Sequence, residues 1–148
     1  MFRAEPSFTS RHATEFTGVD VELAWIGGVE EVMEFEERML AHVIAAVAGK
    51  HGGQIREHFG TEVTVPEVPF PRITMAEAHQ IGGTPGDSAS RGERADLDPR
   101  GERAIAAAVR ERTGHEFVFV TEFPASVRPF YHMRAAGNPA VTLSFDLL

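Results

Sequence analysis

Across Gly27-Gly28 the hydrophobic period of the chain changes from two residues to about 3.6. Val19 to Ile26 reads Val-Asp-Val-Glu-Leu-Ala-Trp-Ile, with Val19, Val21, Leu23 and Trp25 on one side and Asp20 and Glu22 on the other. That alternation predicts a half-buried β-strand. After the glycines, Val29, Val32, Met33, Leu40, Val43, Ile44 and Val47 recur at helical spacing behind an acidic first turn. They predict a helix over about 29–51, stopped by Gly52-Gly53. A strand running into a long amphipathic helix needs a layered fold that covers a sheet face and a helix face together.

The rest of the chain supplies further elements. Pro66 and Pro69 make 63–70 an extended connector rather than a central strand. Thr74-Met75-Ala76-Glu77 fits a capping box, in which Thr74 accepts from the Glu77 amide and Glu77 reaches back, opening a short helix to about Ile81. Residues 82–97 are rich in Gly, Ser, Asp and Arg and read as a mobile surface loop. Asp98 as N-cap and Pro99 as first helical residue start a helix to about Arg112, closed by Gly114. Two strands follow, 117–121 and 140–147, separated by an irregular segment from Pro124 to Pro139. The expected class is α+β, a mainly antiparallel sheet flanked by helices in one domain over 1–148, without internal repeats. Both ends of the chain read as strand, as if the domain were a piece of a larger sheet.

Composition narrows the function. With 148 residues, 43% hydrophobic and 24% charged, the chain has the profile of a globular domain. Its 14 Lys and Arg against 22 Asp and Glu give a net charge of -8, the wrong sign for binding nucleic acid by bulk electrostatics. Without cysteine there is no disulfide, thiolate nucleophile or Cys-based zinc site. The first residues have no apolar signal core and no stretch is long enough to span a bilayer, so the expected location is the cytoplasm. Phosphate-loop, dinucleotide, nucleophile-elbow and HExxH signatures are missing, and the seven histidines are scattered, so no metal site is expected.

What remains is the N-terminal stretch. If residues 2–5 pair antiparallel with 16–26, the result is a hairpin with a basic-tipped loop containing Arg11 and His12. Arg3 and Glu5 share a face, as do Asp20 and Glu22. A guanidinium beside several carboxylates and Phe16 suits a phosphate held by arginine, an ammonium or metal held by carboxylates, and a stacked base. Ordinary cross-strand ion pairs on a solvated face use the same residues, and spacing alone leaves both readings open.

Phe2-Arg3-Ala4-Glu5 followed by His12-x-x-x-Phe16 and Asp20-x-Glu22 resembles motif 2 of class II aminoacyl-tRNA synthetases. The resemblance continues through EEVMEFEERMLAHVI, VPFPRITMAEA, GERAIAAAV and FVFVTEFPASVRPFYHM to NPAVTLSFDL, and is strongest for the aspartyl/asparaginyl subgroup. It implies the central part of a catalytic domain that makes aspartyl-adenylate from ATP and aspartate and passes the aspartyl group to tRNA. Arg3 would hold the α-phosphate and Glu5 would contact adenine or the terminal adenosine of tRNA. Phe16 would stack under adenine, and Arg11 with His12 would hold the γ-phosphate. Asp20 and Glu22 would face the substrate, Asp20 at its ammonium, while Arg128 and Tyr131 would line the aspartate pocket. The implied cofactors are ATP and Mg2+, with the main metal ligands outside this chain.

Motif 1, motif 3 and the anticodon-binding barrel have no counterpart in the sequence, so tRNA use is expected only with those modules and little activity is expected of the chain alone. Two other functions fit the same residues. One is a non-catalytic paralogue or split-enzyme subunit, as a homodimer or with a complementing chain. The other is a tRNA-independent enzyme that adenylates a free amino acid.

Overall fold

The structure is a computed structural model that describes residues 1–4, 13–82 and 97–148. Most of the loop expected over 82–97, together with Glu5, Arg11 and His12, lies outside the described residues.

Helix α1 spans Val29–Phe59. Its N-cap, Gly28, has no side chain to offer, and Glu31 substitutes by accepting the Gly27 N–H at 2.7 Å. Glu30 and Glu31 also put negative charge at the positive end of the helix. The expected stop at Gly52-Gly53 is not a stop. An interior glycine costs a helix about 1 kcal/mol relative to alanine but does not end it. Termination needs a residue in the left-handed region, and Gly60 supplies it with φ 65°, its N–H reaching the Arg56 carbonyl at 3.0 Å. Only the first half of α1 is anchored: Met33 and Glu37 are buried one turn apart, and Val29 and Leu40 pack beside them. Val43 and Val47 stay exposed.

Strand β1 (Arg72–Thr74) leads directly into α2 (Met75–Gly82), and α3 (Pro99–Thr113) leads to β2 (Phe119–Thr121). Both anticipated N-caps are present. Glu77 N–H donates to Thr74 Oγ1 at 3.2 Å, and Glu77 Oε2 accepts from Thr74 N–H at 2.7 Å and from its hydroxyl at 2.9 Å. These bonds hold the Glu77 carboxyl below its ordinary pKa. Asp98 Oδ1 accepts from the amides of Arg100 and Gly101 at 3.0 and 2.7 Å, and Gly114 closes α3 at φ 75°.

The expected strand 140–147 is two strands. β4 (Asn138–Thr142) pairs with β3 (Arg134–Ala135), and β5 (Phe145–Leu147) pairs with β2. The break follows from Thr142, which is buried and commits both its N–H (2.9 Å) and its hydroxyl (3.2 Å) to the Phe123 carbonyl. The main sheet has the order β1-β2-β5, with β1 parallel to β2 and β5 antiparallel to it. Antiparallel pairings predominate, as expected, but β1 was not anticipated. Three residues between Pro71 and a helix are too few to show a period.

β2 is the shared wall of two cores. Val118 and Val120 face α2 and α3, joining Ile73, Met75, Ile105, Val109 and Phe123. Phe119, with Phe117 beside it, faces α1, joining Met33 and Phe70. The layers are therefore α1, sheet, and the α2–α3 pair. Glu37 ties the first layer to the connector by accepting the Phe70 N–H at 2.9 Å, just after the cis Val68-Pro69 peptide.

The strongest strand pattern in the sequence, 19–26, forms no strand. Among the described residues, the ladder near it is the antiparallel bridge of Phe2 with Glu15, flanked by Arg3 N–H to Thr14 O (2.9 Å) and Phe16 N–H to Met1 O (3.1 Å). Residues 1–3 thus pair with 14–16 rather than 2–5 with 16–26. No ladder among the described residues covers 17–26. Trp25 takes φ 55° there and is fully exposed (101%).

Candidate functional site

Directly paired residues of an antiparallel ribbon put their side chains on one face. Arg3 is opposite Thr14 and Phe16 is opposite Met1, so Arg3 and Phe16 share a face one diagonal apart. A guanidinium and an aromatic ring are thereby offered side by side, a pairing able to hold a phosphate and a flat base. Asp20 and Glu22 follow on the same chain but outside the ladder, both exposed.

The second group lies on the irregular segment after β2. Arg128 packs its guanidinium 3.6 Å over the centre of the Phe123 ring and places Nη2 2.7 Å from Asp146 Oδ2. The Arg128 side chain is 14% exposed. Nη2 is therefore committed to Asp146, while Nε on the same edge is buried and has no acceptor. Phe130 and Tyr131 pack edge to face at 5.5 Å, and Tyr131 is 70% exposed, so its ring lies on the surface beside Arg128 in sequence but not in a closed pocket. Asp146 was not singled out from the sequence. The available signal was an acidic residue in the middle of the apolar run Phe145-Asp146-Leu147.

Two cavities complete the picture. One, of about 380 Å³, lies between the first turn of α1 and the β3–β4 hairpin, with Glu30, Arg72, Glu122 and Asn138 in its wall. None of the sequence-predicted site residues lines it. The other, of about 220 Å³, runs between residues 19–23 and α1, with Val21, Leu23, Phe35 and Met39 as apolar wall and Asp20 and Glu36 as acidic groups. Burial pushes the Glu36 carboxyl above its ordinary pKa. Among the described residues, no three His, Cys, Asp or Glu side chains come together as a metal site built from protein ligands alone would require. No helix among the described residues is long and apolar enough to cross a membrane.

The family model of the class II tRNA synthetases (D, K and N) matches residues 1–148. An aspartate–tRNA(Asp/Asn) ligase of Aeropyrum pernix is 37% identical over 150 residues, covering 100% of this chain and 33% of that protein. The aspartate–tRNA(Asp) ligase of Thermococcus kodakarensis is 35% identical over 99% of this chain and 33% of its own length. Among solved structures, aspartyl-tRNA synthetase from Entamoeba histolytica superposes with a TM-score of 0.80 at 27% identity, over 99% of this chain and 30% of that one. The asparaginyl-tRNA synthetase of the same organism, in complex with asparaginyl-adenylate, superposes at 0.78 with 29% identity, over 99% and 32%. The chain spans about a third of the length of these relatives. With the whole chain matched in sequence and in fold, it belongs to the class II tRNA synthetases of the D, K and N group.

Proposed function

We propose that the chain carries the nucleotide-binding ribbon and part of the amino-acid pocket of an aspartate-activating enzyme. In the reaction, an α-carboxylate oxygen of aspartate attacks the α-phosphorus of ATP and pyrophosphate leaves, giving aspartyl-adenylate. A hydroxyl of the terminal adenosine of tRNA then takes the aspartyl group and AMP leaves. The observation that carries this reading is the ribbon register that puts Arg3 and Phe16 on one face.

Arg3 neutralises charge that builds on the α-phosphoryl oxygens as the carboxylate attacks. Phe16 holds the adenine so that the α-phosphorus stays in front of that guanidinium. Glu5 contacts the adenine edge, and Arg11 and His12 hold the γ-phosphate. Asp20 and Glu22 face the amino acid, with Asp20 at its ammonium. Arg128 lines the aspartate pocket, with Asp146 holding its Nη2. Tyr131 lines the same pocket. The same reading takes the cytoplasm as the compartment.

Titration calorimetry with ATP tests the reading. We expect an affinity in the millimolar range, weakened about tenfold by Arg3→Ala, and no aspartate-dependent exchange of pyrophosphate into ATP. Equal binding by Arg3→Ala would sink the assignment of Arg3. Micromolar affinity or measurable exchange would sink the expectation that the chain alone is incompetent.

A further inference from the structure

We propose that His115 is a proton-operated clasp: its ring ties the connector 63–70 to the turn between α3 and β2, and its charge decides which backbone group of Phe117 it holds. Nε2 lies 2.8 Å from the Glu67 carbonyl oxygen, 48 residues away in sequence. Nδ1 lies 3.0 Å from Phe117 N and 3.0 Å from Phe117 O. A carbonyl oxygen can only accept, so Nε2 carries a proton whatever the charge of the ring. In the neutral ring Nδ1 is then bare, and it accepts the Phe117 N–H. A second proton, on Nδ1, sets N–H against N–H at this point. Nδ1 then donates to the Phe117 carbonyl instead, and the Phe117 N–H loses that acceptor.

The ring does not have to move for this exchange. Phe70 packs on it with centroids 4.8 Å apart and stacks on Phe117 at 5.1 Å, and Nε2 donates to Glu67 in both states. The connector therefore stays attached while the backbone entering β2 changes its hydrogen bonding. A cavity of about 250 Å³ beside the ring is large enough for water and gives the proton its access. The charged groups around the ring come from each element that meets there. The connector supplies Glu67 and the turn supplies Glu116, both in the cavity wall. Helix α3 supplies Arg110, with Nη2 3.2 Å from Glu116 Oε1, and α1 supplies Glu37, whose carboxylate is engaged with the Phe70 N–H. Two carboxylates against one guanidinium at the cavity leave room in the charge balance for an imidazolium. His115, Glu67, Phe70 and Phe117 have no part in the assignments to ATP and aspartate.

Nuclear magnetic resonance of the full chain tests the clasp, titrated from about pH 8 to about pH 5 across the range in which histidine changes charge. At the upper end we expect the side-chain nitrogen shifts of His115 to show a bare Nδ1 and a protonated Nε2. As the ring takes up its second proton, the Phe117 amide shift should follow the same curve. Exchange of that amide with solvent, taken relative to its intrinsic rate at each pH, should speed up about tenfold. Phe119, whose N–H goes to the Pro71 carbonyl at 2.9 Å, should keep its protection throughout. His115→Gln should abolish the pH response of the Phe117 amide, with Phe119 and Val120 reporting that the body is folded. Three results in the unsubstituted chain would each overturn the proposal: a neutral ring protonated on Nδ1, a Phe117 amide that ignores the His115 titration, or a loss of protection shared by Phe119. An equal response of the Phe117 amide in His115→Gln would do the same.

Discussion

Residues 117–121 and residues 19–26 both read as strand in the sequence, and only the first contains a strand. Phe119–Thr121 lies between β1 and β5 and has a helix layer on each face, while 19–26 has a groove on one side and no paired neighbour among the described residues. Periodicity therefore reports which face of a segment is apolar. Whether the segment becomes a strand depends on what lies beside it.

The comparison can be broken most directly at two aromatic residues. Phe119 is fully buried and Trp25 fully exposed. Phe119→Ala should cost about 3–5 kcal/mol in urea denaturation, whereas Trp25→Ala should stay within about 0.5 kcal/mol. A large loss from Trp25→Ala would mean that the N-terminal segment is covered in solution and that the contrast between the two regions is false.

Helix α1 joins the two regions, and its second half sharpens the boundary between them. An added Cβ at Gly52 or Gly53 meets nothing within 4 Å, so Gly52→Ala and Gly53→Ala should each stabilise the chain by up to about 1 kcal/mol. Gly60→Ala should act in the opposite direction by a similar amount, because φ 65° strains a side chain there. Thermal denaturation of the three variants reads both signs. Destabilisation by Gly52→Ala would show that this stretch of helix is packed against something.

The smallest effect belongs to Glu77, at the junction of β1 and α2. Its folded carboxyl has a lowered pKa, so its contribution to stability is present above the ordinary carboxylate value of 4.5 and is lost as pH falls through the folded value. Glu77→Gln keeps a capping side chain without the charge. The difference in Tm between the two proteins should close in acid, and a difference independent of pH would show that charge has no part in this cap.

Local chemistry made much of the fold legible in advance. Thr74, Glu77, Asp98, Pro99 and Gly114 mark helix ends with groups that act within four residues of themselves, and all lie where expected. Features that depend on distant partners were not legible. The break in 140–147 is made by the Phe123 carbonyl, β1 exists because β2 runs beside it, and the register of the N-terminal ribbon depends on which backbone groups meet. The candidate site divides in the same way. Arg3 and Phe16 are named by a local motif, but the ring of Phe123 under Arg128 and the carboxylate of Asp146 at its edge come together only through the fold.

Neighbouring residues of β2 point into different layers, with consequences for how its sequence can drift. A slip of one position would send the phenyl ring of Phe119 into the space shaped by Ile105 and Val109 and a valine into the space beside Met33 and Phe70. Each layer rejects the other's side chain by volume, so insertions and deletions are barred from both ends of this short strand.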